Sequence, residues 1–95
     1  MWLIRPFGNS IDKKLKKSKS NQPLIKNLAN FIEELKTVDD PARLGEPKHG
    51  TYKNCIGRHI TKSHTLIYYV DYKQNTVWLV DLDDHKNLYG KDNGA

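Results

Sequence analysis

Apolar positions change rhythm along the chain, and each change marks an element. "WLIRPF", residues 2–7, predicts a first strand. Pro6 belongs at its end or on an edge, because proline brings no N–H to a ladder. Ile11 and Leu15 fall four apart, so a short helix is expected over residues 10–18, with Ser10 as its N-cap. "SNQP" breaks the chain and restarts it. Leu24, Leu28, Phe31, Ile32 and Leu35 then form one stripe, joined by Ile25 and Ala29. This second helix is the clearest element, and Pro23 in its first turn sacrifices no hydrogen bond. Residues 37–50, "TVDDPARLGEPKHG", have two prolines, two glycines and no period, and read as a loop. Three strands follow over residues 51–60, 64–71 and 76–82, with turns at 61–63 and at "YKQN". Connections this short force antiparallel pairing. The tail "DDHKNLYGKDNGA" is expected to make one helical turn and then fray.

The order is β-α-α-β-β-β, an α+β fold. Two helices must bury their stripes on one face of the antiparallel sheet, because nothing else can cover it. The other face is then open, a natural place for a groove. The stretch "RHITKSHTLIYYV" puts Arg58, His59 and His64 near that face.

With 95 residues the chain makes one domain, residues 1–95, around one modest core. Apolar runs reach only strand length, too short to span a membrane, and "MWLIRPFGNS" lacks the pattern of a signal peptide. Cys55 is the only cysteine, which fits a reducing cytoplasm and a small strand residue better than a nucleophile. The net charge is +5, and "KKLKKSK" places five lysines within residues 13–19. That excess favours a polyanionic partner. The lysines fit a solvated helix face or a phosphate-contacting patch equally well.

The ordered combination "GEPKHGTYKNCIGRHITKSHTLIYYVD" and "DDHKNLYG", over residues 41–90, resembles the RelE/YoeB/YafQ superfamily of toxin ribonucleases. The first piece is similar to the YoeB pattern of Glu-Pro, a glycine, then R-x-I-x-x-x-H-x-L-[VI]-Y. The second is similar to the YafQ ending, a histidine four residues before an aromatic and a glycine. The resemblance implies an enzyme that cuts messenger RNA on the ribosome, without metal or other cofactor, and is held inactive by a cognate antitoxin. By the same resemblance Glu46 matches the YoeB general base, His59 a YafQ active-site histidine, His85 the general acid of both and Tyr89 the YafQ terminal aromatic. Two positions depart from it. Thr65 stands where YoeB has a catalytic arginine, and Ser63 where YafQ has an aspartate.

Metal-free RNA cleavage needs a base for the 2′-hydroxyl, an acid for the leaving 5′-oxygen, and cations around phosphorus. Glu46 could be that base in a partly buried site, and His85 the acid, since histidine titrates near neutrality. Arg58, Lys48, His49, Lys53 and His64 could contact RNA, and Tyr89 could stack on a base. Each also has a plainer reading: a solvated glutamate, histidines that cap strand ends, His85 as a structural hydrogen-bond partner, Arg58 paired with Asp83 or Asp84. Asp81, Asp83, Asp84 and His85 together lack metal-ligand spacing, so no metal is expected. Two other functions compete: a catalytically silent relative that binds only RNA or an antitoxin, and a basic DNA-binding module. The latter is weakest, because no helix-turn-helix pattern appears.

Overall fold

The structure, a computed structural model, describes residues 1–84. The elements are β1 (Leu3–Pro6), α1 (Ser10–Lys17), α2 (Gln22–Thr37), β2 (Glu46–Pro47), β3 (Ile56–His59), β4 (His64–Asp71) and β5 (Thr76–Asp84), with 3-10 turns at Pro41–Leu44 and Gly50–Tyr52. The tail segment with His85 and Tyr89, and the turn expected there, lie outside the described residues.

The five strands lie in the order β1-β5-β4-β3-β2. The last three strands in sequence pair antiparallel, as their short turns require. β1 pairs parallel to β5, which makes the sheet mixed. Both helices and three strands lie between β1 and β5 in sequence, a connection long enough to allow that direction. Helix α2 buries Leu24, Leu28, Phe31 and Leu35 against Leu66, Tyr68 and Val70 of β4 and Val77, Leu79 and Leu82 of β5. Ile32 packs at the margin of that core, whereas Ala29 is exposed. Ile11 of α1 joins the cluster. The N-terminus of α2 is capped by Asn21, whose side chain accepts from the Leu24 N–H at 3.2 Å. At α1 the cap position falls on Asn9 rather than Ser10, and no side chain caps it.

One irregularity sets the faces of the sheet. The pairing shifts between Ile67 and Tyr68, so Ile67 lies opposite Asp81 while Tyr68 lies opposite Leu79. Val80 is the extra residue. Strict alternation would send Leu79 and Leu82 to opposite faces, and the bulge turns both into the core. It also puts Trp78, Asp81 and Asp83 together on the face away from α2.

The strand expected over residues 51–60 contracts to Ile56–His59. Gly50–Tyr52 forms a 3-10 turn, and Asn54 takes a left-handed φ of 73° that interrupts extended backbone. The loop over residues 37–50 is more ordered than its composition suggests. Asp40 caps its 3-10 turn by accepting from the Ala42 N–H at 3.1 Å. The Tyr68 hydroxyl donates to the Pro41 carbonyl at 2.7 Å, and Arg58 Nη1 donates to the Leu44 carbonyl at 2.7 Å. A phenol from the sheet core and a guanidinium from β3 thus hold the segment that leads into β2.

Candidate active site

Glu46 opens β2 and pairs with Gly57 of β3. Gly57 in turn pairs with Ile67 of β4, and His59 with Thr65. Directly paired residues share a face, so Glu46 and His59 lie on the side of the sheet away from α2, two residues apart along the ladder. A rise of about 3.3 Å per residue separates the two rows by about 7 Å. A groove of about 400 Å³ at this edge is lined by Arg43, Glu46, Lys48, Arg58, His59 and Thr65, among others.

Two glycines let the strands approach closely enough to build it. A Cβ on Gly45 would lie 2.6 Å from the Gly57 carbonyl oxygen. A Cβ on Gly57 would meet Lys48 Cδ at 2.7 Å, so the Lys48 stem lies directly over that glycine. Lys48 is further tied by its N–H, which donates to the Cys55 carbonyl at 2.9 Å. The Thr65 hydroxyl is 3.2 Å from Nδ1 of His59. Thr65 is buried, and this contact orients the imidazole from the rigid strand beneath it.

The remaining candidates divide. Glu46 is exposed rather than partly buried, so any desolvation of its carboxylate comes from what binds in the groove. Arg58 pairs with Leu66 and therefore points to the helix side. Its guanidinium stacks over the Phe31 ring, 4.8 Å from the centroid, and reaches the groove only at its rim. Its hydrogen bond goes to the Leu44 carbonyl rather than to the aspartates weighed for it. His64 also lies on the helix side, beside a separate groove with Lys14, Lys17 and Ser18. Its Nδ1 sits 2.8 Å from the Thr61 hydroxyl. His49 and Lys53 are exposed on the segment beyond β2. Cys55 precedes β3, half-buried, with its thiol pushed up by burial. Among the described residues no cluster of three or more His, Cys, Asp or Glu could hold a metal.

The face away from α2 is less open than expected. Ile67 has no exposure although it lies there. Lys48 and the segment through Tyr52 fold over the middle of the sheet. The Tyr52 hydroxyl donates to Asp81 Oδ2 at 2.5 Å, and Lys14 of α1 reaches Asp81 Oδ1 at 2.9 Å. β1 pairs only with Thr76–Leu79, so α1 can pack beside the rest of β5 and deliver that lysine. Burial alone would raise the Asp81 carboxyl. The hydrogen bonds from Tyr52, Lys14 and the Leu82 N–H outweigh it and hold the group below the usual carboxylate range. The Tyr52 phenol is pushed up by burial and by the same bond to Asp81.

Sequence reasoning missed Gly45 and Gly57 as builders of the site, and marked Thr65 only as the place of an absent arginine, not as the partner of His59. Thr65 carries no chemical signal of its own. The turn length between the histidines, which sets His59 opposite Thr65, could have indicated it.

No protein-family model matches the chain. A protein of Methanocaldococcus jannaschii named "Putative toxin RelE4" is 34% identical over 85 residues, covering 86% of this chain and 85% of that protein. The metal-bound toxin of Helicobacter pylori superposes with a TM-score of 0.73 at 28% identity, over 93% of this chain and 99% of the other. A point variant of YafQ from E. coli gives 0.71 at 19% identity, over 95% and 100%. YoeB in the YoeB–YefM complex of Staphylococcus aureus gives 0.67 at 18% identity, over 90% and 98%. The α+β fold of this chain is the one these toxins share. The chain belongs to the RelE/YoeB/YafQ toxin superfamily.

Proposed function

We propose that this chain is the toxin of a type II toxin–antitoxin pair, and that it cleaves messenger RNA on the ribosome. The observation that carries the reading is the groove in which a carboxylate, an imidazole and an ammonium group, Glu46, His59 and Lys48, are gathered on one rim of the sheet. Glu46 takes the proton of the 2′-hydroxyl, and the resulting alkoxide attacks phosphorus. The bond to the 5′-oxygen breaks, and His85 returns a proton to that oxygen. Lys48 and His59 carry positive charge beside the phosphate, and Arg43 extends it along the groove. Tyr89 stacks on a neighbouring base. Exposed Glu46 becomes a competent base when bound RNA excludes water from it. No metal or other cofactor enters the scheme.

An antitoxin partner is supported by the S. aureus relative, solved as a YoeB–YefM complex, and by the excess of positive charge, which suits an acidic segment that folds on binding. The reading places the protein in the cytoplasm, where its ribosomal substrate lies. No described helix is long and apolar enough to cross a membrane.

The test is single-turnover cleavage of ribosome-bound messenger RNA. Glu46→Gln and His85→Ala should each slow cleavage by roughly 10²–10⁴. His64→Ala should matter less, because that imidazole lies on the other side of the sheet. The products should carry a 2′,3′-cyclic phosphate or 3′-phosphate and a 5′-hydroxyl. Products with a 5′-phosphate, or full-rate Glu46 and His85 variants, would refute the mechanism, and a parent protein that leaves the RNA uncut would be a silent binding module.

A further inference from the structure

Away from the groove, the same face of the sheet carries a row of large accessible side chains. Trp78 of β5 pairs with Tyr69 of β4 on one side and with Arg5 of β1 on the other. Phe7, just past β1, meets the Trp78 ring edge-on at 6.1 Å and 81°. Tyr69 is 42% exposed and Phe7 62% exposed, and Arg5 is exposed as well. Three rings and a guanidinium thus stand across three adjacent strands, at a spacing of about 4.8 Å per strand. The core does not need these rings, since it is complete on the opposite face with Tyr68, Val77 and Leu79.

We propose that this row is a stacking platform for single-stranded RNA, a second binding site that extends the cleavage groove along the sheet. Aromatic faces accept any base, and an adjacent arginine stacks on bases or holds phosphate. Arg5 brings a positive charge to the row, and of the acidic neighbours Asp81 is paired with Lys14 while Asp71, which accepts from the Gln74 N–H, keeps its charge. The position is favourable. The Tyr69–Trp78 row lies two residues along β4 from the Glu46–Gly57–Ile67 row, about 7 Å away apart from the bulge. The segment from Lys48 to Tyr52 covers Ile67 between the two rows, so an RNA strand that leaves the groove passes over that segment to reach the rings on the same face. The proposal rests on RNA being the substrate, and it assigns to the platform the nucleotides that flank the cut.

Binding is measured with the cleavage-inactive Glu46→Gln protein, by fluorescence anisotropy, on two labelled single-stranded RNAs with 2′-O-methyl groups: a trinucleotide and a decamer. The decamer should bind more tightly than the trinucleotide. Tyr69→Thr, which keeps strand propensity, should weaken decamer binding about tenfold and leave the trinucleotide unchanged. Tyr69→Phe should restore it, since only the ring is needed. Phe7→Ser lies outside the strands at an exposed site and should weaken the decamer without affecting folding. Equal affinities for the two RNAs, decamer affinity unchanged in Tyr69→Thr and Phe7→Ser, or no RNA binding at all would overturn the platform. So would a dimer in sedimentation that Tyr69→Thr dissolves, which would give the face to a second copy. Cleavage by the protein with Glu46 intact is scored separately, so the platform can fail while the nuclease stands. A protein that never cleaves can likewise still show the ring-dependent affinity.

Discussion

Gly45→Ala tests whether close strand approach builds the groove. At φ −151° the Gly45 backbone is extended and any residue could adopt it, so the effect is steric alone. The new Cβ would fall 2.6 Å from the Gly57 carbonyl oxygen and 2.7 Å from Ile56 Cγ2, short of ordinary contact by about 0.8 Å. The Gly57 oxygen cannot retreat, because β3 is held by β4 over four paired residues. β2 has two residues, both exposed, and is the partner that gives way. Overpacking of this kind is worth about 1–3 kcal/mol. Detachment of β2 limits the loss to its own pairing and the Lys48–Cys55 bond, so about 1–2 kcal/mol is expected. In a domain of this size that lowers Tm by roughly 4–15 °C. Urea unfolding gives the stability, and hydrogen exchange at the Lys48 N–H reports the flap itself, since that group donates to Cys55. Gly50→Ala is the control. Its Cβ would meet nothing within 4 Å, and only the left-handed φ of 69° is penalised, at about 1 kcal/mol. Unchanged Lys48 protection in Gly45→Ala, with stability within about 0.5 kcal/mol of the parent, would refute the reasoning.

Two further substitutions probe the scaffold. Asp81→Asn removes the Lys14 ion pair and weakens the Tyr52 bond, and should destabilise by about 1–3 kcal/mol near neutrality. Because the folded carboxyl titrates below its unfolded value, its contribution is present above pH of about 4 and is lost as pH falls through the folded pKa. Urea unfolding between pH 3 and 7 should therefore show a shallower acid loss in the variant, and parallel curves would exclude Asp81 as the source. Arg58→Lys gives up the planar contact with Phe31 and the Leu44 bond, and should cost about 1–2 kcal/mol. Thermal unfolding checks this, and an unshifted Tm would mean that the guanidinium does not hold the loop.

The α2 stripe, the three hairpin-linked strands and the single core were legible because each depends on a local period. A helix with apolar residues three and four apart can bury only one face, and strands with short turns can pair only antiparallel. Glu46 and His59 were singled out through resemblance alone, since a solvated glutamate beside a proline carries no chemical signal, and the fold sets both along one groove.

The register was not legible. Val77, Leu79 and Leu82 break alternation by one residue, and only pairing with β4 decides that Val80 absorbs the break. That bulge puts Asp81 on the same face, away from α2, as Trp78. The partners of the basic residues were equally hidden. Arg58 reads as an RNA contact by charge, yet the Phe31 ring and the Leu44 carbonyl lie within its reach and engage it inside the fold. Lys14 reads as one of five lysines on a solvated face or a phosphate-contacting patch, yet β1 ends early enough for α1 to bring it to Asp81. Charge and period are properties of short segments, and the chain determines them directly. Which groups meet depends on residues far apart in sequence, and packing decides that.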